Sequence, residues 1–136
     1  MGRRLFELIL AVKQKCQGNE EQIQTELGLS PGQFHGLIVL NDGQEITGCE
    51  FAERMALSPS RGSRILNSLV VNGYVKTRGR PDDRRSIIVC LTPKGRRTKQ
   101  RIAHRMEACE SRVCTSLDRD SLAQVVHAME LLEATL

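Results

Sequence analysis

The chain has 136 residues, 40% of them hydrophobic and 26% charged, ordinary values for one globular domain with a single core. Aromatic content of 3% with no Trp argues against an aromatic-caged pocket and against single-strand binding through stacked bases, and no apolar run approaches the ~18 residues that cross a bilayer. The net charge of +4 conceals a segregated field: Arg61 to Arg105 holds thirteen Lys and Arg against Asp82 and Asp83 alone, a net of +11, while residues 1–60 carry −3 and residues 106–136 carry −4.

In chain order, the N-terminus MGRRLFELILAVKQKC has a basic start and an apolar stretch. It has no small-residue cleavage site, and Glu7 and Lys13 interrupt it at helical spacing, so it reads as an amphipathic helix and not as a signal peptide. A cytoplasmic protein with five reduced cysteines is expected. Residues 3–16 form a helix burying Leu5, Leu8, Ile9 and Val12, with a break near Gly18 and renewed helix over 19–28. Ser30-Pro31-Gly32-Gln33 then combines a capping Ser, a Pro at the first helical position and a Gln three residues on. It starts a helix over 31–41 that buries Phe34, Leu37, Ile38 and Leu40. Thr47-Gly48-Cys49-Glu50 starts another over 48–56, burying Phe51, Ala52 and Met55. Ser58-Pro59 starts a third over 59–72, which buries Ile65, Leu66 and Leu69 and stops at Asn72-Gly73. Strands follow at Tyr74–Arg78 and Ser86–Leu91, joined by a turn-rich loop, and Gln44–Ile46 is a candidate third strand at the hairpin edge. Thr92-Pro93 opens a long polar helix over 93–116. Asp118 caps a last helix over 119–135, with Leu122, Val125, Val126, Met129 and Leu132 at spacings of three and four.

The helices starting at Thr47 and Ser58, with their turn at Ala56-Leu57, have helix-turn-helix spacing, in which the second helix enters a major groove. Its outward or boundary residues are Ser60, Arg61, Ser63, Arg64, Asn67 and Ser68. Arginine pairs bidentately with guanine, and serine serves several base edges. The hairpin tip concentrates Arg80, Arg84 and Arg85, suited to a narrow minor groove. Asp82 and Asp83 fit as braces for neighbouring guanidinium groups. A basic field over such a motif points to a polyanion partner; the plainer reading is a solvated basic surface and a charged turn.

Phe51-Ala-Glu-Arg-Met-Ala-Leu-Ser-Pro-Ser, then Ser63-Arg64-Ile65-Leu66, Leu69, Gly73-Tyr74-Val75, Arg78, Asp83-Arg84-Arg85 and Leu91-Thr92-Pro93-Lys94-Gly95, resemble the MarR family of winged-helix regulators, and Ser30-Pro31-Gly32-Gln33-Phe34 resembles the start of that family's second helix. The resemblance implies a mainly α fold with a small antiparallel β wing: a winged helix-turn-helix over 30–92, flanked by N- and C-terminal dimerisation helices over 1–28 and 94–136. It further implies a homodimer on a pseudo-palindromic site in double-stranded DNA. Ser60, Arg61, Ser63 and Arg64 would read the major groove, with Arg84 or Arg85 in the minor groove. The expected dimer interface is Leu5, Leu8, Ile9, Leu122, Val125, Val126, Met129 and Leu132; the alternative for the last stripe is packing on the chain's own first helix. Gly62 stands where the family usually has an apolar residue. Asn67 stands where it often has an Asp pairing with a wing arginine, so the bracing pair here is Asp83 and Asn67.

The resemblance also implies a releasing signal, a small-molecule effector or an oxidant. The cysteines form no C-x-x-C pair, Cys109 and Cys114 point about 140° apart on a helix, and His35, His104 and His127 are scattered, so no metal and no cofactor is expected. Cys49 at a helix start, and Cys16 beside Lys13 and Lys15, have electropositive surroundings that favour a reactive thiol; the plainer reading is a small buried or incidental residue. No Ser/His/Asp set, phosphate-cradling Gly-rich loop or paired carboxylates suggest an enzyme. The expected function is a DNA-binding transcriptional regulator, most often a repressor in this family. Its alternative is a winged-helix module that binds an acidic protein partner without base readout.

Overall fold

The computed structural model describes residues 2–79 and 86–136. Six helices and a small sheet follow in the order α1 (Gly2–Leu27), α2 (Pro31–Val39), β1 (Ile46–Thr47), α3 (Gly48–Arg54), α4 (Pro59–Val71), β2 (Val75–Arg78), β3 (Ile88–Leu91), α5 (Pro93–Ser116) and α6 (Arg119–Thr135). The mainly helical fold with a β wing is the expected one, and the third strand is present at Ile46–Thr47. The expected break near Gly18 is absent: α1 runs unbroken through it. Interior glycine weakens a helix by only about 1 kcal/mol, which the helical residues on either side tolerate.

The chain divides into two compact units, Met1–Ile102 and Ala103–Leu136. The core of the first is centred on Phe34, Leu37, Leu40, Phe51, Leu69, Val89 and Ile102, all essentially inaccessible to water. The expected burial of Phe34, Leu37, Leu40, Phe51, Ala52, Leu66 and Leu69 is met, and Ile38, Met55 and Ile65 pack on this core half-buried. The expected burial of Leu5, Leu8 and Val12 is not met: each is close to half exposed in the single chain.

Local sequence sets the helix boundaries. Ser30 Oγ accepts the Gln33 N–H while Gln33 Oε1 accepts the Ser30 N–H, a complete capping box. Thr47 and Ser58 accept from Glu50 and Arg61 in the same way, and Thr92 Oγ1 accepts the Gly95 N–H. Helices α1, α3 and α4 end alike, in paired bonds around a left-handed residue. At Gly28 these are Gly28 N–H to Thr25 O and Leu29 N–H to Gln24 O; at Gly73, Gly73 N–H to Val70 O and Tyr74 N–H to Leu69 O. In the helix-turn-helix the residue is Ala56, with φ 55°, bridged by Ala56 N–H to Glu53 O and Leu57 N–H to Ala52 O. An L-residue there costs about 1–2 kcal/mol, offset by the satisfied carbonyls.

The sheet has the order β1-β3-β2 and is antiparallel throughout. Val75 pairs with Leu91, Arg78 with Ile88, and Ile46 with Val89, so alternate side chains Val75, Val89, Leu91 and Ile46 turn to the core. In the second unit Asp118 caps α6, its carboxylate accepting the Ser121 N–H at 2.7 Å. No residue of α6 is buried.

At Gly62 a Cβ would stand 2.6 Å from Ala52 Cβ and 3.1 Å from Ala52 Cα. Gly62→Ala therefore forces α3 and α4 apart, and the expected loss is roughly 1–3 kcal/mol in urea denaturation despite the helix-propensity gain of about 1 kcal/mol. Pairing it with Ala52→Gly recovers part of that loss; an unchanged or raised stability of Gly62→Ala would show that the helices do not meet here.

The Ser121 backbone N–H is the main cause holding the Asp118 carboxyl below its ordinary range. A lowered folded-state value means that the cap stabilises α6 above the unfolded aspartate range, near pH ~3.9, and loses that effect as pH falls through the folded value. The Ser121 amide resonance is expected to titrate with a midpoint below ~3.9 and to stop titrating in Asp118→Asn; a midpoint at or above the ordinary value contradicts the cap.

Candidate nucleic-acid interface

Helix α4 buries Gly62, Leu66 and Leu69, with Ile65 and Ser68 half-buried, and turns Ser60, Arg61, Arg64 and Asn67 to solvent. Ser63 is half-buried at the boundary. The inward spacing of four and three residues leaves the opposite face for Ser60, Arg64 and Asn67 at four and three. Pro59 and the Ser58 cap fix the entry of the chain at the N-terminal end, where Arg61 lies.

Two neighbours flank the helix. Against α2, Gln33 Nε2 donates to Ser68 Oγ at 3.1 Å, and Gly32 and Gly36 lie against Ile65 and Leu69. Towards the wing runs an open groove of about 270 Å³, walled by Ser63, Asn67 and Val70 of the helix and by Thr77, Gly79 and Ile87. Asn67 thus faces the base of the wing. The other expected bracing residue, Asp83, and the wing residues Arg80, Arg84 and Arg85 lie outside the described residues.

Ion pairing uses part of the basic field inside the fold. Arg78, at the end of β2, pairs with Glu45 just before β1. Arg96 lies 3.6 Å from Asp42. Lys94 Nζ donates to Asn72 O at 2.7 Å and sits 4.6 Å from the centre of the Tyr74 ring, covering the C-terminal end of α4 where the helix dipole favours a cation. Lys99 Nζ donates to Leu37 O and Ile38 O at 3.1 and 2.8 Å, doing the same for α2. Burial lowers the Lys99 pKa, an effect opposed by the charge of Asp42. Arg54, in α3, donates to Val39 O and Gln44 Oε1. Sequence reasoning counted Arg78, Lys94, Arg96 and Lys99 into the outward field; their roles depend on loop and helix-end geometry that spacing does not reveal. Arg61, Arg64, Lys76, Arg97 and Arg101 remain exposed.

Of the two candidate thiols, Cys49 is half-buried in α3 and Cys16 is exposed on α1. Cys16 borders a groove of about 390 Å³ between α1 and α2, together with Lys13, Glu20, Gln24 and His35. Glu20 and His35 face each other across it at 3.7 Å. Among the described residues, no group of three or more His, Cys, Asp or Glu is arranged to hold a metal, and no helix is long and apolar enough to cross a membrane.

A helix-turn-helix followed by an antiparallel wing, with arginines on the exposed face of its second helix, defines a winged-helix protein. Residues 27–86 match the model of the MarR family. The uncharacterized protein Rv2011c of Mycobacterium tuberculosis is 29% identical over 117 residues, covering 81% of each chain. Among solved structures, MarR of Staphylococcus aureus in complex with salicylate and kanamycin superposes with a TM-score of 0.84 at 18% identity, covering 97% of this chain and 89% of that one. A variant of MarR from E. coli complexed with operator DNA gives 0.74 at 22% identity, covering 95% and 93%. Over residues 27–86 the chain is similar to the MarR family, and its fold is the winged-helix fold of these solved structures.

Proposed function

We propose that this protein is a sequence-specific regulator that binds double-stranded DNA as a homodimer on a pseudo-palindromic operator. In the reading we favour it is a repressor, released by a small molecule or an oxidant. The observation that carries DNA reading is the exposed row Ser60, Arg61, Arg64 on a helix whose remaining sides are occupied by α2, α3 and the wing. That row lies exposed at the N-terminal half of the helix, and its chemistry suits guanine edges and phosphates. Ser63 stands at its margin. The wing arginines Arg80, Arg84 and Arg85 would extend the contact into the minor groove. The operator-DNA complex of the E. coli relative supports this reading.

Dimerisation is supported by the terminal helices. Leu5 and Leu8 of α1 and Val125, Val126 and Met129 of α6 are each 45–53% exposed, while Ile9, Leu122 and Leu132 are half-buried. Apolar rows of this length on a soluble regulator call for a covering surface, and a second copy offers the same rows in return. The flanking segments 1–28 and 94–136 would supply this interface, and 30–92 the DNA-binding part. The salicylate complex of the S. aureus relative supports a small-molecule effector. The groove between α1 and α2 is a seat of suitable size, and Cys16 on its rim is the better placed of the two thiols for an oxidant.

Binding to a duplex selected from a random-sequence library should fall steeply with salt, as phosphate contacts release counterions. Arg64→Ala should cost about 1–3 kcal/mol on the selected duplex and relax its sequence preference. A uniform loss on all duplexes would instead favour a purely electrostatic winged-helix module, and no preferred duplex at any salt contradicts the reading.

Sedimentation at micromolar concentration should give twice the 15.2 kDa chain mass, and Val126→Glu, which places a charge in the apolar row, should shift the protein to the single-chain mass. A wild-type protein that sediments as one chain contradicts the homodimer.

A further inference from the structure

The contact between α2 and α4 is chemically uneven. Part of it is glycine facing hydrocarbon: a Cβ on Gly32 would stand 3.0 Å from Ile65 Cγ1, and one on Gly36 would stand 2.9 Å from Leu69 Cδ1. Such a surface brings the helices close, but apolar contact is itself non-directional. One directional contact interrupts it. Gln33 is 5% exposed and both ends of its amide are engaged: Oε1 accepts the Ser30 N–H and Nε2 donates to Ser68 Oγ, each at 3.1 Å. The amide is held at one end by a backbone that the capping box has already fixed, so the other end presents a donor at a defined place.

Ser68 is placed to use it. It follows Arg61 by seven residues and Arg64 by four, which on an α-helix puts it about 20° and 40° from them around the axis. Its angular position is therefore theirs. The opposite flank of α4 borders the open groove towards the wing and restrains the helix less. We propose that Gln33 and Ser68 are a positioning pair that fixes the rotation of α4 and thereby aims Arg61 and Arg64 at their bases. This rests on the DNA-reading function proposed above. The pair would touch no DNA; it acts through the two arginines.

The test uses the full-length protein, a duplex selected by the wild type from a random-sequence library, and a scrambled duplex of the same composition. Ser68→Ala removes the acceptor and leaves the buried Gln33 amide N–H without it, a loss partly offset by the gain in helix propensity, so its urea denaturation midpoint should fall only modestly and the protein remain folded. Affinity for the selected duplex should fall about three- to tenfold, the range that loss of one hydrogen bond allows, while affinity for the scrambled duplex changes less than about twofold. Ser68→Thr, which keeps the hydroxyl, should restore most of the preference. In an Arg64→Ala background, Ser68→Ala should cost less than half of what it costs alone, because the two act as one unit. Equal affinities of Ser68→Ala and wild type on the selected duplex, equal losses on both duplexes, or full additivity with Arg64→Ala would overturn the proposal. A wild type that selects no duplex overturns the DNA-reading function and this inference together; a wild type that selects one, with Ser68→Ala indifferent, overturns this inference alone.

Discussion

Close approach of helices at glycine holds the exposed row of α4 in place. Gly62 lets α4 come so near α3 that a methyl group would overlap the Ala52 Cβ, and Gly36 admits the Leu69 side chain between α2 and α4. The same device recurs at the start of α5, where a Cβ on Gly95 would stand 1.9 Å from the Tyr74 carbonyl oxygen. That carbonyl accepts the Thr92 N–H, and Thr92 Oγ1 donates to Gly73 O. The loop leaving α4 and the first turn of α5 are thus sewn together over a contact that only glycine permits. Dispersion at such distances rewards fit steeply, so how near α4 lies to its neighbours is set by shape, while its rotation is left to directional contacts.

Charge then acts on helix ends. The basic composition of α5 suggests a surface for a polyanion, yet Lys94 and Lys99 in its first two turns close the C-termini of α4 and α2, and Arg96 reaches Asp42 between them. Carbonyls at a helix C-terminus need donors, and a lysine from a neighbouring helix meets that need while tying two elements together. The lowered pKa of Lys99 shows the desolvation this entails. Among the described residues of that field, Arg61, Arg64, Lys76, Arg97 and Arg101 are left to face outward.

Much of this was legible in the sequence because its punctuation is local. A cap followed by proline at Ser30, Ser58 and Thr92, and an Asn-Gly stop at Asn72, depend on residues three or four apart, and each sets a boundary in the structure. The order of Leu-Thr-Pro-Lys-Gly after a β-branched strand located the wing and α5 together. What spacing could not show were contacts between distant segments: Lys99 meets carbonyls some sixty residues away, and Gln33 meets Ser68 thirty-five residues on. Gly62 was visible as a departure from the family pattern, but its reason needed Ala52 opposite it. The break expected at Gly18 did not occur, because glycine lowers helix propensity without forbidding helix. Ala56 shows the converse: an alanine holds the left-handed turn position that composition would assign to glycine.

The distribution of burial links fold to assembly. The buried apolar residues run from Ile23 to Ile102, so the winged helix-turn-helix and the helix turns bracketing it form a self-sufficient core. Before Ile23, α1 carries Leu5, Phe6, Leu8, Leu10 and Val12 exposed, and α6 buries none of its residues. Helical propensity alone sustains such segments poorly in water, since most helix stability in proteins comes from packing an apolar face. A surface that covers those faces would supply the packing energy that they lack in the single chain. If that surface is a second copy, as proposed, ordering of the terminal helices and association are one equilibrium, and stability depends on concentration.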